Sequence, residues 1–119
     1  MKKYIVQKSP FVVPTTDGKR IEEHFGVSNQ SELSIAFMVA PPKWSEPFQT
    51  PEFDEYTYII KGKKQFTIDG ELVVLEAGQS IKIKKGVRVK YSNPFDQDCE
   101  YLAICSPAFS MDLVHREDL

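Results

Sequence analysis

Alternating apolar and polar positions dominate the middle of the chain and predict β-strands. Residues 55–61 are rich in aromatic and β-branched side chains, and residues 80–84 alternate isoleucine with lysine. Residues 87–91 place valine and tyrosine opposite arginine and lysine, and further strand-like segments are 33–39, 65–68, 72–75 and 100–105. The pattern therefore predicts a predominantly β protein.

Glycines and prolines separate these segments. The glycines that recur every eight residues are Gly62, Gly70, Gly78 and Gly86. This spacing is typical of turns between short antiparallel strands. Asp69-Gly70 lies between two alternating runs and predicts a two-residue hairpin, because both turn positions need positive φ. Residues 52–93 contain no proline, which suits central strands that need every backbone donor.

Strand periodicity also assigns side chains to faces. Glu55, Thr57 and Ile59 share one face, and Tyr56, Tyr58 and Ile60 share the other. In residues 33–39 the bulky apolar side chains Leu33, Ile35, Phe37 and Val39 are in phase. Helical signals are few: residues 21–25 fit a helical turn or an extended segment equally well, and residues 110–117 predict one turn with Asp112 near its start.

Length and charge exclude several classes of protein. The chain has 119 residues, which corresponds to one domain, and its net charge of −2 disfavours a nucleic-acid binder. No run approaches the ~20 apolar residues of a membrane span, and residues 1–8 lack the apolar stretch of a signal peptide. Cys99 and Cys105 on one strand would lie ~20 Å apart, too far for a disulfide. We therefore expect a cytoplasmic protein.

The spacing of several residues resembles the cupin family. Glu55, six residues and Gly62 match the end of its first motif, Gly-x5-His-x-His-x3–4-Glu-x6-Gly. Gly78, Gly86 and Asn93 match the frame of its second motif, Gly-x5-Pro-x-Gly-x2-His-x3-Asn. The resemblance implies an all-β jelly-roll barrel, a double-stranded β-helix, with a short helical or irregular C-terminal tail. Residues 1–119 would form a single cupin domain with a core at about 34–107, an N-terminal arm at 1–33 and a tail at 108–119.

The metal-binding positions of the family are degenerate in this chain. The places of its histidines hold Gln49 and Pro51, or Phe48 and Thr50 with the longer spacing, and Val89. Only Glu55 remains of the usual three histidines and one glutamate. Since a catalytic zinc or iron site needs about three good protein donors, no metal cofactor is predicted. A weakly held divalent ion at Gln49, Glu55 and His115 remains an alternative.

Two functions fit this degenerate site. The first is binding of a small polar molecule, with Gln49, Glu55 and Tyr91 inside the barrel and Trp44 at its mouth. The second is a metal-free isomerase, epimerase or lyase that uses Glu55 for acid–base chemistry, with Tyr91 or His115 as the proton partner. The roles of two further residues stay open. Glu52 either converges with Glu55 or belongs to a solvated acidic loop, and His115 either covers the mouth or lies exposed in the tail.

The outer face of the predicted strand 55–61 suggests self-association. Tyr56, Tyr58 and Ile60 would point away from the barrel, and an apolar aromatic face usually needs cover. Residues 11–13 of the same or a second chain could supply it. Small cupins are usually homodimers, so the predicted partners are a small-molecule ligand and a second copy, with no nucleic acid and no membrane.

Overall fold

Ten strands in two antiparallel sheets form the protein, as described for residues 3–117 by a computed structural model. The strands are β1 (Phe11–Val12), β2 (Arg20–Phe25), β3 (Ser34–Ala40), β4 (Trp44–Ser45), β5 (Asp54–Lys61), β6 (Lys63–Ile68), β7 (Glu71–Glu76), β8 (Ser80–Ile83), β9 (Val89–Asn93) and β10 (Cys99–Ser106). One sheet has the order β1-β2-β3-β10-β5-β8, and the other has the order β4-β9-β6-β7. This architecture confirms the predicted all-β cupin barrel.

The core lies between the two sheets. Ile59 and Tyr101 from the six-stranded sheet pack in one buried cluster with Phe66, Val89 and Tyr91 from the four-stranded sheet. All five side chains are at most 2% exposed. The predicted faces of residues 55–60 are confirmed, because Thr57 is buried beside Ile59 on β5 and the tyrosines of that strand are exposed.

The turn at Asp69-Gly70 is the predicted two-residue hairpin. It joins β6 to β7 in antiparallel register, with Ile68 opposite Glu71. Both turn residues have positive φ, at 50° for Asp69 and 78° for Gly70. Asp-Gly therefore specifies this connection through backbone conformation.

Strand β3 turns the face opposite to Ile35 and Phe37 into the barrel. Ser34, Ala36 and Ala40 are buried, whereas Ile35 and Phe37, which were predicted to share a face, are only partly buried. The small inward residues lie opposite Cys105, Ala103 and Cys99 of β10, which are also buried. At these three pairs both strands present small side chains to the interior of the barrel, and the space beside Ala36 and Ala103 belongs to a cavity.

The segments outside the core join the same framework. Residues 20–25 are extended as β2 and a 3-10 turn follows at Val27–Asn29. The predicted tail helix is α1 (Met111–Val114), with Asp112 in its first turn. Beyond α1, the backbone N–H of Glu117 donates to the carbonyl of Phe48 at 2.8 Å, so the tail lies along residues 48–52. Within residues 3–117, no helix is both long and apolar enough to cross a membrane.

Candidate functional site

A cavity of about 70 Å³ lies inside the barrel between the two sheets. Its walls include the small side chains of Ala36 and Ala103 described above. Six charged side chains also line it: Lys19, Glu23, Glu46, Glu55, Lys64 and Arg116. So many charged groups in one small space are unusual for a protein interior, where charges are almost always paired.

Glu55 lies at the start of β5, with Cys105 of β10 and Ile83 of β8 as its neighbours across the sheet. Strand parity turns its carboxyl inward beside Thr57 and Ile59, and the half-buried side chain lines the cavity. Burial raises the pKa of Glu55, while the positive charge of Lys64 acts in the opposite direction. The carboxyl group is thus shifted toward its neutral, proton-donating form.

Lys64 is a buried residue of the cavity that was not recognised from the sequence pattern. It lies on β6, is 2% exposed, and lines the cavity. Its Nζ lies 3.4 Å from the ring centre of Tyr101 and 4.7 Å from that of Tyr91. Burial lowers the pKa of Lys64 to about 7, although the charge of Glu55 partly offsets this effect. Strand alternation carried one signal for this burial, because Lys64 lies two residues before buried Phe66 and therefore on the same face of β6.

Tyr91 brings an unpartnered hydroxyl to the same cavity. The side chain is 2% exposed and packs edge-on against Phe66 at 5.6 Å between ring centres. Burial, with the nearby charge of Glu55, raises the pKa of Tyr91 well above its usual range, so the hydroxyl keeps its proton. Within residues 3–117 no well-formed hydrogen bond reaches this oxygen, despite the proximity of Glu55. Tyr91 therefore presents a buried, protonated hydroxyl to the cavity.

A charged cluster forms another part of the lining. The Glu46 carboxylate oxygen Oε2 lies 3.3 Å from Lys19 Nζ and 3.4 Å from Arg116 Nη2. Arg116 Nε also donates to Gln49 Oε1 at 3.3 Å, and Gln49 is fully enclosed. Two cations therefore share one carboxylate here, and Arg116 from the tail helps to enclose the cavity.

The structure separates the sequence-predicted site residues into two groups. Gln49, Glu55 and Tyr91 line the cavity together. Trp44 is instead buried in the core, where its Nε1 donates to Asp17 Oδ2 at 2.8 Å.

Glu52 and His115 also lie outside the cavity lining, because they face each other on the surface. Their side chains are 60% and 52% exposed. His115 ends α1 in a left-handed conformation, and its ring contacts the Glu52 carboxylate instead of reaching Glu55. This geometry does not support the expectation that His115 is a proton partner or that Glu52 is a cavity ligand.

The cavity residues do not fit the metal that cupins usually hold. Residues 3–117 contain no group of three or more His, Cys, Asp or Glu side chains placed to hold an ion. At the family's metal-binding positions the cavity offers only the oxygens of Glu55 and Gln49, and the amide oxygen of Gln49 already accepts from Arg116. Lys64 and Arg116 would also repel a divalent cation. The alternative of an ion at Gln49, Glu55 and His115 lacks its third ligand in this geometry.

Comparison with known proteins gives one family and several structural relatives. The family model described as Cupin domain matches residues 36–105. A curated protein of Myxococcus xanthus named Endoribonuclease YbeY is 41% identical over 108 residues. The match covers 89% of this chain but only 37% of that relative, so the chain spans little more than a third of its length.

Solved structures resemble the whole barrel. The polyketide cyclase RemF from Streptomyces resistomycificus aligns with a TM-score of 0.76 at 15% identity, covering 100% of this chain and 87% of that one. An RmlC-like cupin from Shewanella frigidimarina aligns with a TM-score of 0.74 at 16% identity, covering 94% and 96%. The EutQ protein of Clostridium difficile aligns with a TM-score of 0.65 at 24% identity, covering 76% and 63%. At these identities the likeness concerns the fold.

Proposed function

The chain belongs to the cupin domain family, and we propose that its barrel binds a small polar molecule in direct contact with protein side chains. The observation that carries this proposal is the Tyr91 hydroxyl, which is buried, lines the cavity near Glu55 and makes no well-formed hydrogen bond within residues 3–117. A buried polar atom without a hydrogen bond costs about 1–3 kcal/mol. A ligand that accepts from Tyr91 would remove this cost.

The size of the cavity limits the ligand. One enclosed water needs about 10–15 Å³ by this measure, so about 70 Å³ accommodates roughly five waters or a ligand with a similar number of heavy atoms. Glu55 and Lys64 provide an acceptor and a donor beside Tyr91. The cavity therefore favours small acids, hydroxy acids, aldehydes or amides over sugars and nucleotides.

A matched pair of variants tests the role of Tyr91. A panel of small polar metabolites is screened by thermal shift, and the compounds that bind are measured by calorimetry. Tyr91→Phe removes the cavity hydroxyl, and Thr57→Val removes a second buried hydroxyl that makes no hydrogen bond within residues 3–117 and does not line the cavity. We expect Tyr91→Phe to weaken binding by about 5–30-fold, the effect of about 1–2 kcal/mol, and Thr57→Val to leave affinity unchanged.

Both variants should fold, because removing an unsatisfied buried hydroxyl is close to neutral for stability. A panel in which no compound stabilises the wild-type protein contradicts the proposal. Equal losses of affinity in the two variants would also contradict it, since the effect would then not come from contact with the ligand.

A second candidate, a metal-free isomerase, epimerase or lyase, is favoured by the opposite pKa shifts of two groups in one cavity. Burial raises the pKa of Glu55 and lowers that of Lys64 to about 7. Acid–base catalysis is most efficient when such values lie near the working pH. Tyr91 rather than His115 is the proton partner that this geometry favours.

Proton exchange separates this enzyme from a binding protein. Each bound compound is incubated with the protein in D₂O, and loss of its exchangeable C–H signal is followed by NMR. An enzyme of this class exchanges the proton, and Glu55→Gln slows the exchange by about 10²–10⁴-fold while binding persists. Binding without exchange leaves the ligand-binding proposal and removes this one.

The names of the relatives do not supply a substrate. The endoribonuclease name belongs to a protein of which this chain covers 37%, and the cyclase shares 15% identity with it. We therefore base the proposal on the cavity residues.

A further inference from the structure

We propose that Lys64 is a nucleophilic amine that condenses with the carbonyl carbon of a small oxo acid held in the barrel. This inference rests on the proposed function, because it requires a ligand in the cavity. It adds a covalent step and a class of substrate to that proposal. Of the positions in the family's metal motifs, only Glu55 takes part in the step, and it does so as a proton carrier.

The placement of Lys64 leaves its amine available. Within the described chain no carboxylate oxygen lies within 4.0 Å of Nζ, in contrast to Lys19, which pairs with Glu46 at 3.3 Å. The amine lies instead over the rings of Tyr101 and Tyr91 and lines the cavity. A lysine with a purely structural role is usually paired or extends to solvent. Lys64 does neither.

The surroundings of Lys64 favour a neutral amine near pH 7. The groups that act on its charge are Glu55 on β5, Lys19, Glu46 and Cys99 on β10. Burial, together with repulsion from Lys19, outweighs the attraction of Glu55, Glu46 and Cys99 and holds the pKa at about 7, so a substantial fraction of the Lys64 side chains is uncharged at neutral pH. Fewer than about one in a thousand surface lysines are uncharged under the same conditions. Selective reactivity follows from this difference.

The condensation balances without another reagent. The Nζ lone pair forms a bond to the carbonyl carbon, and the C=O π electrons move to oxygen. Oxygen receives a proton through Glu55, and the nitrogen returns one to the same carboxylate. A second proton follows the same route as the C–O bond breaks, so the products are an imine and one water. Tyr91 can donate a hydrogen bond to the oxygen during both steps.

The charge and size of the cavity favour an oxo acid. Lys19 and Arg116 share the single carboxylate of Glu46, which leaves one positive charge in this cluster for an anionic group. The remaining acidic residues of the lining lie outside this cluster: the raised pKa of Glu55 favours its neutral form, and Glu23 accepts a hydrogen bond from Ser28 at 2.7 Å. A volume of about 70 Å³ accommodates roughly five heavy atoms, which is the size of glyoxylate.

Reductive trapping tests the inference on the full chain. The protein is incubated with glyoxylate and sodium cyanoborohydride near pH 7, and the modified positions are found by intact mass and peptide mapping. We expect one adduct, at Lys64, formed about tenfold or more faster than at any surface lysine because of its neutral fraction. Lys64→Met should lose the fast adduct. Lys63→Met, which changes the exposed neighbour on β6, should keep it.

A parallel measurement distinguishes failure of the inference from failure of the proposed function. Glyoxylate binding is followed by thermal shift without reductant, together with the panel of polar metabolites. Binding of glyoxylate or another panel compound without a fast adduct at Lys64 overturns the inference and leaves the proposed function standing. No binding by any compound overturns both. Mapping uses the wild-type chain, so the result does not depend on the folding of Lys64→Met.

Discussion

The protonation states of Lys64 and Glu55 are set by the same enclosure. Burial disfavours the charged form of each, which lowers the pKa of Lys64 and raises that of Glu55. Their mutual attraction acts in the opposite direction but does not cancel the effect of burial. Both side chains are therefore shifted toward their neutral forms, and this property distinguishes the cavity from an ordinary buried ion pair.

The lowered pKa of Lys64 predicts how stability depends on pH. Between pH 7 and its usual pKa of 10.5, the unfolded chain binds more protons at this position than the folded chain. The free energy of unfolding therefore rises with pH across this window. From pH 7 to 8.5 we expect a rise of about 1.5–2 kcal/mol in urea denaturation of the wild-type protein relative to Lys64→Met.

Two other titratable groups, Cys99 and Glu55, limit the pH range of that measurement and require a further control. Burial raises the pKa of Cys99 to about 11, which lowers stability with rising pH above about 9, so measurements stop at pH 8.5. The raised pKa of Glu55 also lowers stability as the pH rises above the usual pKa of a glutamate. The comparison is therefore repeated in a Glu55→Gln background, where only Lys64 should produce the slope. The free energy of unfolding is then compared between Glu55→Gln and the double variant that also carries Lys64→Met. If the two change in parallel with pH, Lys64 is charged in both the folded and the unfolded state, which contradicts the prediction.

Strand parity placed Glu55 on one face with Thr57 and Ile59, and the resemblance to the cupin frame implied that this face and Tyr91 point inward. Neither signal identified Lys64. Lys64 belongs to a run of polar residues after Gly62, and a charged residue next to a turn is normally solvated. The position of His115 depends on how the tail packs along residues 48–52, and local sequence carries no signal for that contact.

The small side chains of β3 and β10 create the cavity, and enlarging one of them tests its role. Ala36 and Ala103 are directly opposite in the register and both line it. Ala36→Val should fill part of the empty volume, so we expect stability to change by less than about 1 kcal/mol while ligand affinity falls at least about tenfold. Urea denaturation and calorimetry measure the two quantities.

Ala40 provides the matched control for Ala36 on the same face of the same strand. Its side chain is fully buried in the core and does not line the cavity. Ala40→Val should therefore cost about 1–3 kcal/mol by overpacking and leave ligand affinity unchanged. If both variants lose stability equally, the space near Ala36 is not available to a ligand.

Replacing a turn glycine by alanine should cost different amounts of stability at two positions of the chain. Gly62 and Gly70 have similar positive φ, at 81° and 78°. A Cβ at Gly70 would meet no atom of residues 3–117 within 4 Å, whereas one at Gly62 would lie 2.3 Å from the carbonyl oxygen of Asp98. Gly70→Ala should cost about 1–2 kcal/mol from the left-handed conformation alone. Gly62→Ala should cost about 1–3 kcal/mol more, because the backbone of Asp98 must also move.

Urea denaturation of both variants measures this difference, and equal losses of stability would show that the Asp98 backbone moves at little cost.

The two glycines also differ in how much of their environment can be inferred from the sequence. The positive φ of a turn can be inferred from glycine spacing and Asp-Gly pairs. The close approach of Gly62 to Asp98 joins segments that are distant in the chain, and it becomes visible only once the sheets are assembled.

The jelly-roll architecture was predictable because its signals are local and repeated. Turn spacing, alternation and the glycine frame all indicate the same order of strands, and the structure has the two sheets that this order implies. The segment predicted as an N-terminal arm supplies β1 and β2 to the six-stranded sheet, a pairing with β3 that periodicity alone does not specify.

The outer face of the six-stranded sheet leads to the prediction of a homodimer. Tyr56, Tyr58 and Ile60 are 40–46% exposed on β5, next to the edge strand β8, and together form an apolar surface. A second copy would remove this surface from water, which stabilises association by about 25 cal/mol per Å² of apolar area before the cost of lost freedom. We expect sedimentation equilibrium to give twice the chain mass of 13.6 kDa.

Charge at the centre of that face should disrupt the dimer. Tyr58→Lys places an ammonium group where two copies would meet, so we expect at least a tenfold weaker dimer, consistent with a penalty of about 1.4 kcal/mol or more. Leu72→Lys is the control, because Leu72 is 65% exposed on β7 in the other sheet. A wild-type mass near 13.6 kDa contradicts the dimer. A dimer disrupted by Leu72→Lys but not by Tyr58→Lys would instead move the interface to the four-stranded sheet.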